Sequence, residues 1–124
     1  SQKFSLVVLN YANPDMVGHT GNFAATVQAC QVVDQCVGRV WTATEAAGGA
    51  MLLFSDHGNA DLMVDAQGNP HTAHTANPVP LVLVWPGVKA IRDGALCDIA
   101  PTVLDLLGIN QPREMTGKSL IDKE

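Results

Sequence analysis

Five side chains in three short clusters have the types and spacing to hold divalent cations. Asp15 and His19 lie in DMVGHTG, Asp56 and His57 in SDHGN, and His74 in HTAHT. Carboxylate oxygen suits hard divalent cations, and Mn2+ or Zn2+ also accept imidazole nitrogen, so the clusters together supply both ligand types. Singly, each has an ordinary explanation: Asp15 as a loop or cap carboxylate, His19 as a surface residue, Asp-His-Gly as a chance tripeptide. His71 and His74 read as surface histidines of which at most one ligates. What outweighs these readings is that all four histidines of the chain fall inside the three clusters. Asp61 and Asp65 read as solvated loop carboxylates and stand outside the set.

The spacing constrains the geometry. Asp15 and His19 are four apart, so one helical turn would put both on one face. Asp56 and His57 are adjacent and would point to opposite sides of a regular strand. A turn at the strand end, which Gly58 makes easy, is needed to aim both into one region. Ligands drawn from different loops in this way fit two cations better than one.

Several elements must position these groups. Residues 4–9, FSLVVL, form a continuous apolar run and predict a strand buried on both faces. A polar, proline-containing loop follows. From Gly21 to Ala47, Phe23, Val27, Cys30, Val33, Val37, Val40 and Trp41 recur at helical spacing, and Gly48 and Gly49 stop that helix. Residues 50–55 predict a second strand ending at Asp56, and 81–85, LVLVW, a third. Residues 58–80 read as an active-site loop with a small hairpin at LMVDAQGNPHT. Asp98 to Leu107 predicts a helix with Asp98 at its N-cap and Gly108 after its end. The tail from Met115 reads as polar surface. The order β-α-β-β-α implies an α/β domain with a mostly parallel sheet flanked by helices, in which ligands gather beyond the carboxyl ends of the strands. All three clusters can reach that edge. Because the chain opens in a core strand, the reading is of a segment, residues 1–124, of a larger domain.

Composition narrows the partners. At 124 residues, 47% hydrophobic and 15% charged, the chain has the make-up of an ordinary globular domain. A net charge of −5 argues against nucleic acid or an anionic membrane as partner. No apolar run reaches the length of a membrane span, and the first residues lack the pattern of a secretory signal. Cys30, Cys36 and Cys97 form no CxxC and read as buried, reduced thiols of a cytoplasmic protein.

DMVGHTGN, SDHGNAD, PHTAHTANPVPLV and the closing CDIAPTVLDLLG…PREMTGKSL resemble the C-terminal part of cofactor-independent phosphoglycerate mutases, a family of the alkaline phosphatase superfamily. The similarity runs from about Phe4 to Leu120. DHG and HT are shared across that superfamily, whereas DMVGHTG and EMTGKSL point to the mutases. The resemblance implies an alkaline-phosphatase-like fold, present here in part. It also implies interconversion of 3-phosphoglycerate and 2-phosphoglycerate through a phosphoserine, with two cations, Mn2+ foremost and Zn2+ or Co2+ as substitutes. It assigns Asp15, His19 and His74 to one cation, Asp56 and His57 to the other, and His71 to a supporting place outside the ligands. The family's nucleophilic serine, a further metal-binding aspartate and its arginine-rich substrate domain lie N-terminal to the matched segment. Nothing here replaces them, since Arg39, Arg92 and Arg113 are all remote in sequence from the clusters. The expectation is therefore an inactive isolated chain that self-associates, and a monomeric whole enzyme. A superfamily phosphatase or phosphodiesterase segment and a non-catalytic metal-binding module remain open alternatives.

Overall fold

The computed structural model describes residues 3–122 and has the element order α1 (Asn13–Gly18), α2 (Phe23–Ala46), β1 (Met51–Phe54), β2 (Leu81–Val84), a 3-10 turn (Leu96–Asp98) and α3 (Ile99–Leu106). The α/β class holds. Among the described residues the sheet has two strands, β1 beside β2. The chain divides into two compact units, one reaching to Gly49 and including Leu53–Leu81, the other comprising Ala50–Leu52 and Val82 onward.

The first unit holds all three clusters. The predicted loop after residue 10 contains a helix, α1, started by Pro14 in its first turn and ending at His19. Proline fits there because its missing N–H lies among the first-turn donors that have no intrahelical partner anyway. The long helix α2 starts where Asn22 accepts the Ala25 N–H at its N-cap. It stops where Gly48 takes φ 69° while Gly48 and Gly49 donate to the Glu45 and Thr44 carbonyls. This double bond is the Schellman closure, and it needs a residue free to adopt left-handed backbone. Thr26 is the buried residue of α2, Phe23 and Val27 are exposed, and Val33, Val37, Val40 and Trp41 are half-buried. The expected hairpin is present, with Val64 bridged to Pro70 and Gly68 at φ 85° in the turn.

The predicted strand at 4–9 does not form. Those residues join no strand ladder among the described residues, Ser5 lies in a bend, and Phe4, Val7 and Val8 are 74, 74 and 86% exposed. An apolar run expresses a tendency to be buried, whereas a strand also needs a hydrogen-bonding neighbour. The cysteines also depart from expectation: Cys30 and Cys97 are exposed and Cys36 is half-buried, all as free thiols.

In the second unit, α3 ends as predicted, with Gly108 at φ 66° and the Gly108 and Ile109 N–H groups on the Asp105 and Leu104 carbonyls. Asp98 stands at its N-cap without capping it. Its carboxylate accepts instead from the Ala95 N–H at 2.9 Å and the Lys118 N–H at 2.8 Å. These bonds hold the carboxyl below its ordinary range, the Ala95 N–H being the larger cause. The tail is likewise no loose surface strand. Leu120 is 5% exposed, its N–H donates to the fully buried Thr102 hydroxyl, and Ile121 bridges Ile91. Leu120, Met63 and Pro101 are the buried apolar side chains among the described residues.

Candidate metal centre

Each cluster sits at a place where local backbone geometry is set by a named feature. Asp15 and His19 occupy one face of α1, with His19 Nε2 3.3 Å from Asp15 Oδ1. β1 leads into Asp56 and His57, and the bare α-carbon of Gly58 then lets the chain turn. A Cβ on Gly58 would overlap Thr75 Oγ1 and stand 2.7 Å from Asp61 Oδ1. His74 is delivered by the loop before β2, where the Thr75 N–H donates to the Gly58 carbonyl at 2.9 Å.

The three clusters converge. His74 Nε2 lies 3.2 Å from Asp15 Oδ1 and 3.2 Å from His19 Nε2. His57 lies between Asp15 and Asp56, its Nδ1 3.9 Å from Asp15 Oδ1 and its Nε2 3.7 Å from Asp56 Oδ1. Its ring stacks on that of His74 with centroids 3.8 Å apart. Asp15, His57 and His74 present ligand atoms within 4.8 Å of one another, so in this geometry His57 is as near the Asp15 set as it is to Asp56. Asp56 is the most exposed of the five, at 69%. His71 is held elsewhere, with Nδ1 3.1 Å from the Leu62 carbonyl in the hairpin.

The donor chemistry fits a cation. His19 Nδ1 lies 2.6 Å from the Thr72 carbonyl. A carbonyl only accepts, so the hydrogen is assigned to Nδ1, and the neutral ring then carries its lone pair on Nε2. That lone pair faces Asp15 Oδ1 and His74 Nε2. Three atoms able to act as acceptors thus meet at hydrogen-bond distance, an arrangement that a divalent ion between them would satisfy. A carbonyl behind a ligating imidazole is the usual way its tautomer and orientation are fixed.

Three participants were not legible as such in the sequence. Asn59, 5% exposed, donates from Nδ2 to Asp15 Oδ1 at 2.9 Å, with His19 Nε2 at 3.4 Å. Its Oδ1 is buried and unpartnered, pressed against Gly18. Asp61, set aside above as solvated, accepts from the Thr75 hydroxyl at 2.9 Å and the Asn77 amide at 2.6 Å. Those bonds, Asn77's foremost, keep its carboxyl below the ordinary range. The third participant is the Thr72 carbonyl. Only the continuation GNAD after the DHG triplet hinted at the first two, and a backbone acceptor leaves no letter at all.

An α/β scaffold that brings carboxylates and imidazoles from one helix and two loops to one point is an arrangement that metal-dependent enzymes use. Residues 1–111 match the metalloenzyme superfamily, and the chain belongs to it. Its relatives are more specific. The 2,3-bisphosphoglycerate-independent phosphoglycerate mutase of Gloeobacter violaceus is 57% identical over 98% of this chain and 24% of that protein. The corresponding protein 1 of Methanosarcina acetivorans is 55% identical over the whole of this chain and again 24% of its own length. Among solved structures, Leishmania mexicana phosphoglycerate mutase, determined at low cobalt concentration, superposes with a TM-score of 0.81 at 33% identity. That match covers 93% of this chain and 24% of that one. The resemblance read from the motifs therefore holds along essentially the whole chain, which spans about a quarter of the length of these relatives. Among the described residues, no helix is long and apolar enough to cross a membrane.

Proposed function

We propose that this chain is the metal-binding portion of a 2,3-bisphosphoglycerate-independent phosphoglycerate mutase, a cytoplasmic glycolytic enzyme that acts as a monomer when whole. Its substrates would be 3-phosphoglycerate and 2-phosphoglycerate. Asp15, His19 and His74 would hold one divalent cation and Asp56 with His57 a second, with Mn2+ favoured and Co2+ or Zn2+ as alternatives. Bound cations would activate a serine hydroxyl and stabilise charge on the transferred phosphoryl oxygens.

The observation that carries this reading is the meeting of Asp15 Oδ1, His19 Nε2 and His74 Nε2 within 3.3 Å, with the Thr72 carbonyl holding the His19 hydrogen on the far nitrogen. The chain's own residues do the work of orientation: Asn59 fixes the Asp15 carboxylate, Thr72 fixes the His19 ring, and Gly58 lets the second and third loops meet. Ser55 is the serine nearest the cluster in sequence, and its hydroxyl donates to the His57 carbonyl at 2.6 Å rather than to any base. That supports a chain that binds metal without turning over substrate on its own.

The test pairs Mn2+ titration by calorimetry with phosphorus NMR of the chain, 3-phosphoglycerate and excess Mn2+. Saturable Mn2+ binding without conversion is the expected result. Formation of 2-phosphoglycerate would reveal an unrecognised nucleophile, release of inorganic phosphate would indicate a hydrolase, and failure to bind Mn2+ would remove the metal centre itself.

A further inference from the structure

The loop that carries His74 touches the loop that carries His57 at one concentrated point. Thr75, the residue after His74, pairs with Gly58, the residue after His57, through the Thr75 N–H. The Asp61 carboxylate stands beside that pair and accepts both the Thr75 hydroxyl and the Asn77 amide. Gly58 has no side chain, which is what allows Asp61 and Thr75 to close over it. The consequence is the 3.8 Å stacking of the two imidazoles.

We propose that Asp61 is a positioning residue for His74. Through Thr75 and Asn77 it holds the third loop against the second and so sets where the His74 imidazole stands in the metal centre. The inference rests on the metal-binding reading above for its effect on affinity, but the positioning itself is a property of the chain without metal. The carboxylate is suited to this because it is acceptor-only, and it faces donors from two residues of one loop. Asp61→Leu keeps the branched shape and removes both acceptors, leaving the Thr75 hydroxyl and the Asn77 amide without their shared partner. Thr75→Val keeps the shape of the threonine and removes only the hydroxyl. Asp61→Asn is the conservative variant, because an amide oxygen at the Oδ2 position still accepts from both donors.

Asp65 provides the matched control. It too is a loop carboxylate with a lowered pKa, caused mainly by the Asn69 N–H, but its bonds to Gln67 and Asn69 close the hairpin turn rather than the His74 loop.

The experiment measures two quantities on the full chain: Mn2+ affinity by calorimetry, and the nuclear Overhauser contact between the His57 and His74 rings without metal. Partners that orient a metal ligand typically change affinity by about 10- to 100-fold, and an exposed group acting through a neighbour belongs at the lower end, about tenfold. Asp61→Leu and Thr75→Val are expected to lose the ring contact and weaken Mn2+ binding by that factor. Asp61→Asn should keep both, and Asp65→Leu should change neither. An Asp61→Leu protein that keeps the ring contact and binds Mn2+ like the parent would overturn the proposal. So would equal weakening by Asp65→Leu, because any loop carboxylate would then serve. If the parent binds no Mn2+ yet Asp61→Leu still loses the ring contact, the positioning stands and the metal-binding function fails.

Discussion

Two glycines in helices offer the same substitution with opposite expected signs. Neither Gly18 nor Gly38 has a positive φ, so alanine is free of backbone strain at both. Gly38 lies inside α2 with nothing within 4 Å of a built Cβ. Gly38→Ala should therefore stabilise by about 0.5–1 kcal/mol, the difference between the two residues in a helix interior. Gly18 ends α1, and its Cβ would overlap Asn59 Oδ1 and stand 3.0 Å from Asn59 Cγ. Asn59 is buried and cannot retreat freely, so overpacking of about 1–3 kcal/mol outweighs the helix gain. The displaced amide also gives up its bond to Asp15 Oδ1, which should weaken Mn2+ binding by about tenfold. Urea unfolding is the direct assay. With a slope of roughly 1–3 kcal/mol per molar urea, a gap of about 2–3 kcal/mol separates the two midpoints by roughly 0.7–3 M. Equal midpoints would refute the packing argument. A destabilised Gly18→Ala that still binds Mn2+ like the parent would refute the link from Asn59 to the metal centre.

The other perturbations test the remaining parts of the chain. The Asp98 carboxyl is held below the usual aspartate value of about 3.9 by the Ala95 and Lys118 N–H groups, so its contribution to stability is full above that value and disappears as pH falls through the folded-state pKa. The deficit of Asp98→Asn relative to the parent should therefore shrink as unfolding is followed from pH 7 to pH 3, and a deficit constant with pH would count against it. Leu6 and Val8, 52 and 86% exposed, lie in an apolar segment with no strand partner among the described residues, a surface open to association with another chain. The isolated chain should self-associate, Leu6→Lys with Val8→Lys should suppress this, and sedimentation showing a monomer at every concentration would refute it.

What the sequence made legible was chemistry and punctuation. Helix α2 and both glycine stops followed from apolar spacing and from the need for left-handed backbone at Gly48 and Gly108. The histidines concentrated in three motifs pointed to the region where the three clusters converge. What it could not express was the identity of neighbours. FSLVVL reads as a core strand because strand patterns record what a segment would bury, but among the described residues it has no partner. Asp98 sits where an N-cap should be, yet its carboxylate bonds to Ala95 and to Lys118, 20 residues on. Asp61 looked solvated for the same reason, since its donors lie 14 and 16 residues ahead. The tail was misjudged because the Thr102 hydroxyl that receives the Leu120 N–H is 18 residues away.

The arrangement of the cluster has an energetic consequence that would separate the proposed metal site from a chance cluster. Asp15 Oδ1, His19 Nε2 and His74 Nε2 are all turned toward one another, although lone pairs at such distances repel unless a proton or a cation lies between them. Loops without a reason to approach would splay apart. Instead, hydrogen bonds made outside the cluster hold them in: Thr72 to His19, Asn59 to Asp15, and Asp61 to Thr75 and Asn77. If the cluster holds a cation as proposed, the ion is bound in the folded state and lost on unfolding, so it would stabilise the fold by mass action. At about 100 times its dissociation constant, a single bound Mn2+ adds about 2.7 kcal/mol, and each further tenfold in free ion adds about 1.4 kcal/mol. The melting temperature should rise with the logarithm of Mn2+ concentration, and the rise should be lost in His74→Ala. A melting temperature indifferent to Mn2+ would mean that the scaffold holds these side chains together for some purpose other than a cation.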